Sequence, residues 1–157
     1  MLAWVNGKLV PQESATVSVM DRGFLFGDGV YELVRFFGGV GAAMDLHEER
    51  LARSCALAGI DGFDAGALRT ISAELLRANG LRDASVYLQV TRGAGAARAH
   101  MPAPGLTPTV VAFVTPSASL AEFREPESAR AIVRPDLRWH RCEIKTTSLA
   151  GNILALV

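Results

Sequence analysis

In a chain that carries two lysines against fourteen arginines, Lys145 in the stretch RWHRCEIK is the residue whose type says most. A guanidinium stays protonated and cannot condense with a carbonyl, whereas an amine can form a Schiff base. An amine here therefore permits carbonyl chemistry, although an ordinary surface lysine satisfies the same pattern. Arg98 and His100 lie one residue apart in a loop rich in Gly and Pro. In an extended conformation both would project to one side, and a guanidinium fork grips a carboxylate bidentately. The plainer alternative is a solvated loop with two unrelated polar residues. Arg50, followed by Arg53, sits in a helical pattern and reads either as a solvated helix face or as a phosphate contact. Tyr31 alternates with apolar residues in a strand pattern, which is ordinary half-buried packing for a phenol.

These residues need elements to position them. Asn6-Gly7 between two short apolar runs predicts a tight hairpin at 3–10. A strand at 30–37 followed by Gly38-Gly39 and a return run to Met44 predicts a second hairpin, with Asp45 as the cap of the next helix. Residues 46–59 show apolar positions at helical spacing, Leu51, Cys55 and Ala58 sharing one face, and Gly59 as the stop. Asp64 opens another helix with Leu68, Ile71, Leu75 and Leu76 as its stripe, closed by Asn79-Gly80. Strands at 85–93 and 109–114 follow. The order ββ, αα, ββ predicts an α+β fold and excludes a doubly wound parallel sheet.

The Pro- and Ser-containing stretch 115–128 has linker composition. We therefore expect an N-terminal α+β domain over 1–118, and over 119–157 a linker and the beginning of a second domain. That second unit is expected to contain one strand, ARAIVRP, and a helix carrying Leu149, Ile153, Leu154 and Val157, capped by Thr and Ser. It reads as an interrupted domain, since a strand and part of a helix cannot bury their apolar faces alone.

Half the residues are hydrophobic and a fifth are charged, with acidic and basic residues in balance. Such a chain buries a core without metal or disulfides and carries no basic field for nucleic acid or anionic lipid. Small molecules or copies of itself are the expected partners. No export signal and no run of membrane-spanning length is present, which predicts a cytoplasmic protein. Cys55 and Cys142 lack a CxxC or His-rich companion and read as two reduced, buried thiols. The glycine runs GGVGAA and RGAGAAR do not join a strand to a helix as dinucleotide fingerprints must. A hairpin turn explains the first, and close backbone approach in a loop explains the second. Serine triads, HExxH and Walker loops are absent.

Several words in order, DRGFLFGDGVYE at 21–32, HEERLARS at 47–54, YLQVTRG at 87–93, RAHMP at 98–102 and RWHRCEIK at 138–145, carry a resemblance. The chain resembles the fold type IV aminotransferases that use pyridoxal phosphate, and among them the D-amino acid aminotransferases. The resemblance implies the small N-terminal domain of such an enzyme plus the start of its larger domain. It implies that Lys145 bonds the cofactor and that Arg50 binds the cofactor phosphate. It further implies that Tyr31, Arg98 and His100 bind the substrate α-carboxylate, with the last two reaching into a partner subunit, hence a homodimer. The expected reaction exchanges an amino group between a D-amino acid and a 2-oxo acid, of D-alanine and 2-oxoglutarate type. No metal is implied. A branched-chain aminotransferase or an aminodeoxychorismate lyase is the alternative within the family, and the RAH motif argues against both. Relatives continue well beyond this lysine, so a non-catalytic dimerisation module is a further alternative.

Overall fold

The computed structural model of the protein describes residues 1–122, 128, 130–133, 135–136 and 139–155. The expected first hairpin forms from β1 (Leu2–Val5) and β2 (Lys8–Pro11), with Asn6 and Gly7 both at positive φ, as the two-residue turn demands. A short helix, α1 (Arg22–Phe26), starts at Asp21, whose side chain accepts the Gly23 N–H. It ends at Gly27, where φ is +66° and the Ser148 hydroxyl would lie 2.3 Å from any added Cβ. Only glycine fits there. Strand β3 (Gly29–Phe37) and the two-residue β4 (Val40–Gly41) form the second hairpin.

Helices α2 (Met44–Ala58) and α3 (Ala67–Asn79) follow, each closed by a left-handed glycine, Gly59 and Gly80. Both N-termini differ from expectation. The residue capping α2 is Ala43 at φ 50°, while Asp45 lies in the first turn and pairs with Arg69 at 2.5 Å. An acidic side chain there favours the positive end of the helix dipole without capping it. Asp64 folds an Asx turn onto the Gly66 N–H at 3.0 Å, and α3 begins three residues after it.

Strands β5 (Ala84–Thr91) and β6 (Thr109–Pro116) complete one six-stranded antiparallel sheet of order β2-β1-β6-β5-β3-β4. The last hairpin to be made thus inserts between the first two. Val30, Glu32, Val34 and Phe36 of β3 point to the buried side with Val86 and Leu88 of β5 and Ala112 and Val114 of β6. Leu51, Leu68 and Leu75 of the two helices close over them, fully buried. Each such side chain contributes about 1.5–3 kcal/mol on leaving water. The opposite face stays open, with Tyr31, Tyr87 and Phe113 stacked across three strands at centroid separations of 5.4 and 4.9 Å. This is the expected α+β architecture.

Beyond β6 the described residues carry less regular structure. The strand expected over ARAIVRP is not formed at 130–133 or Pro135, and residues 129 and 134 lie outside the described ones. The last helix is the five-residue α4 (Ala150–Leu154), entered from Leu149 without a side-chain cap. Its Ile153 and Leu154 are exposed, and Val157 lies outside the described residues. Of the two thiols, Cys55 is buried but Cys142 is exposed, because it sits on this outer segment and not in the core. Among the described residues no helix is long and apolar enough to cross a membrane.

Candidate active site

The segment carrying Lys145 is stitched to the free edge of β3. Tyr31 N–H donates to the Lys145 carbonyl at 3.0 Å, Val30 bridges Thr146, and Thr147 N–H donates to the Gly29 carbonyl at 2.9 Å. The Lys145 N–H donates to the hydroxyl of Ser54, a fully buried residue of α2, at 3.2 Å. Thr147 and Ser148 add hydroxyl bonds to the Gly27 carbonyl, both at 3.0 Å. The lysine backbone is therefore fixed by strand, helix and turn together. Its Nζ lies 4.1 Å from the centroid of the Tyr31 ring. A cation over an aromatic face is worth about 0.5–2 kcal/mol, increasing with desolvation.

Arg50, Tyr31 and Lys145 line one cavity of about 480 Å³, walled otherwise by Trp139 and by residues between Cys142 and Asn152. Arg50 reaches it from α2 because Glu32 holds its guanidinium. Its Nε and Nη2 donate to the two Glu32 carboxylate oxygens at 2.6 and 2.7 Å. His47 Nδ1, one helical turn earlier on α2, lies 2.6 Å from Glu32 Oε2. An ionised carboxylate only accepts, so the ring nitrogen donates. Burial by itself would raise the Glu32 pKa, but the hydrogen bonds and charges of Arg50 and His47 outweigh it and bring it below the ordinary value. Glu32 in turn raises that of Arg50. Arg50 Nη1 makes no hydrogen bond to the described residues, so a donor remains for an anion in the cavity.

Arg98 and His100 are elsewhere. They lie in the exposed loop between β5 and β6 and do not line this cavity. Both rest on Phe26 of α1, the Arg98 guanidinium 4.9 Å from the ring centroid and the His100 ring 5.7 Å away. They share a side as expected, but the chain bends at His100 instead of running extended. The structure thus brings three of the five expected site residues together and keeps the other two as a separate pair.

The Lys145 amine and the Arg50 guanidinium line one cavity and are complementary in chemistry to an aldehyde and a phosphate on one small molecule. The residues present fit a phosphorylated aldehyde cofactor.

Residues 29–156 match the family described as amino-transferase class IV. The chain belongs to that family. Among its class IV relatives is a D-alanine aminotransferase of Bacillus licheniformis, 41% identical over 150 residues, covering 95% of this chain and 52% of that protein. The chain spans about half the length of the curated relatives it matches. Among solved structures it superposes on a branched-chain aminotransferase of Thermoproteus uzoniensis with norvaline at TM-score 0.80 and 26% identity, over 99% of this chain and 54% of that one. It also matches the 4-amino-4-deoxychorismate lyase of Pseudomonas aeruginosa at TM-score 0.62 and 33% identity, over 73% of this chain and 40% of that one. The α+β sheet and its two main helices are the N-terminal part of the class IV fold.

Sequence reasoning missed Glu32, His47 and Ser54, which position the residues it found. Glu32 carried a legible signal: it falls on the buried parity of β3 with Val30 and Val34. A carboxylate at such a position must be paired, and HEER on the next helix supplies the partners.

Proposed function

We propose that this chain carries the lysine-bearing part of a pyridoxal-phosphate-dependent site that exchanges an amino group between a D-amino acid and a 2-oxo acid. The observation that carries the reading is the Lys145 amine above Tyr31 in the cavity that Arg50 also lines. Its support for D-substrates is the likeness to D-alanine aminotransferases together with the Arg98-Ala99-His100 motif. The cofactor, when bound, supplies an electron sink for charge at the substrate α-carbon.

The residues have distinct tasks in this reading. Lys145 would hold the cofactor through its amine, and the same amine would move a proton at the substrate α-carbon as base and acid. Tyr31, beneath the amine in the cavity, is the third member of the α-carboxylate site beside Arg98 and His100. Arg50, oriented by Glu32, binds the phosphate. Arg98 and His100 bind an α-carboxylate and, lying outside their own chain's cavity, do so in a second copy, which makes a homodimer part of the proposal. The boundary at 118/119, between the sheet domain and the start of a cofactor domain, belongs to the same reading.

The test is transamination of D-alanine with 2-oxoglutarate, beside L-leucine with the same acceptor, in parent and Lys145→Ala protein. D-alanine turnover with yellow colour, both lost on Lys145→Ala, is expected. Turnover of L-leucine alone would replace the reading with a branched-chain activity, which the superposition on the Thermoproteus enzyme makes the natural competitor.

A further inference from the structure

The loop carrying Arg98 and His100 has little with which to hold itself. Residues 94–99 read AGAARA, and 102–105 read PAPG, so few side chains there are large enough to pack. Its conformation must be set through the backbone, and one side chain does this. Arg22, the first residue of α1, is buried, and its Nη1 and Nη2 donate to two consecutive carbonyls, Ala99 at 2.6 Å and His100 at 2.9 Å. In an extended chain successive carbonyls point in opposite directions. Their convergence on one guanidinium is what bends the loop at His100.

The guanidinium is fixed in turn. Arg22 Nε donates to Asp28 Oδ2 at 2.7 Å, and Arg92 donates to both Asp28 oxygens, Nε at 2.8 Å and Nη2 at 2.9 Å. Arg92 also caps the end of α2 through the Ala58 carbonyl at 2.7 Å and the Gly59 carbonyl. Burial by itself would raise the Asp28 pKa, but its bonds to Arg92 and Arg22 outweigh it, so the carboxylate is held ionised. The root of the loop is equally constrained. Arg22 N–H donates to the Gly93 carbonyl at 2.9 Å, and a Cβ on Gly93 would lie 1.9 Å from the Thr107 carbonyl oxygen. Phe26, lying under Arg98 and His100, also lies 4.8 Å from the Arg22 guanidinium, so one ring registers all three.

We infer that Arg22 is the positioning residue for the 98–100 loop: its fork on the Ala99 and His100 carbonyls, anchored on Asp28, sets where Arg98 and His100 present their groups and so sets affinity for a substrate carboxylate. This rests on the carboxylate-binding reading of Arg98 and His100 given above. Arg22 touches no substrate. It acts on binding alone, through the loop.

Arg22→Lys separates this role from folding, because an ammonium keeps a charge for Asp28 but has no planar fork for two carbonyls. Two measurements are made on the whole protein: hydrogen exchange of the amides of 96–101, and KM with kcat for amino acid and oxo acid. Arg98→Ala is measured in parallel. The expected result is exchange at 96–101 faster by about tenfold and KM raised by about tenfold, with kcat within about twofold, which corresponds to losing one charged hydrogen bond. Should Arg22→Lys not fold, Asp28→Asn, which loosens the anchor, is expected to move both readouts in the same direction by less. Unchanged exchange at 96–101 overturns the tether. Faster exchange with unchanged KM, while Arg98→Ala raises KM, overturns the link from loop to affinity and leaves the carboxylate reading standing. An unchanged KM in Arg98→Ala overturns the carboxylate reading, and the inference with it, even if the exchange shows the tether.

Discussion

The Glu32 cluster and the 98–100 loop both present cationic groups, and they are held in opposite ways. In the first, a fully buried carboxylate on the inner face of β3 grips the side chains of Arg50 and His47 directly. In the second, a guanidinium grips backbone carbonyls, and the side chains of Arg98 and His100 project outward over Phe26. The difference follows from what each site binds in the proposed reaction. A phosphate anchor serves a resident group and gains from rigidity. A carboxylate grip must accept and release a substrate at every turnover, and an exposed pair on a fixed backbone can do both. Lys145 follows the second pattern: Ser54 and Tyr31 hold its backbone, and its amine rests over the Tyr31 ring.

Substitutions at the two regions should therefore fail differently. Lys145→Ala is expected to have the largest effect, lowering transamination by about a thousandfold or more while lowering the melting temperature by no more than a few degrees, since the fold holds this residue by its backbone and loses only the contact of the amine with Tyr31. Arg50→Met should act on stability first, by about 1–3 kcal/mol at neutral pH, because it leaves the buried Glu32 carboxylate with His47 as its remaining charged partner. Its acid dependence should also weaken. In the parent, Glu32 titrates below its ordinary 4.5, so its stabilisation is complete above that pH and lost as pH falls through the lower folded value. With Arg50 gone, His47 alone opposes burial and the folded pKa rises from its parent position, so the deficit is present at neutral pH and shrinks on acidification. Thermal melts from pH 7 to pH 3 check both slopes.

Arg98→Ala should show the complementary pattern, a KM for amino acid and oxo acid raised by about tenfold or more with stability changed by less than about 0.5 kcal/mol. Comparable destabilisation by Arg50→Met and Arg98→Ala would erase the distinction between the regions. The smallest effect concerns the thiols. Cys142 should react with iodoacetamide in the folded protein and Cys55 should not, since burial excludes reagent and pushes the Cys55 thiol up to about 11. Mass spectrometry of the peptides reads this directly.

Local chemistry made much of the fold legible. Asn6-Gly7, Gly59 and Gly80 each terminate an element where they should, because positive φ is a local demand that the residue itself announces. The Leu68, Ile71, Leu75 stripe announces the buried side of α3 in the same way. Sheet order was not legible, since placing β6 against β1 is a non-local pairing that no turn encodes. Ala43 as the residue before α2 was hidden for a related reason: its positive φ is imposed by the hairpin closing around it, against its own preference. In the site, Lys145, Arg50 and Tyr31 were found by type and by the family words around them. Ser54, Arg22 and Asp28 were not, because the Lys145 amide, the Ala99 and His100 carbonyls and Arg92 that they meet lie far away in sequence, and a lone polar residue does not reveal which distant group it will meet.

The central claim is that Lys145 is the amine placed for a carbonyl cofactor, and the two lysines make it directly measurable. The protein is incubated with pyridoxal 5'-phosphate, reduced with borohydride to fix any covalent link, digested and mapped by mass spectrometry. Adduct is expected on Lys145, diminished by Arg50→Met, with Lys8 and the N-terminal amine essentially unlabelled. Equal labelling of Lys8, or labelling of Lys145 indifferent to Arg50→Met in folded protein, would contradict it.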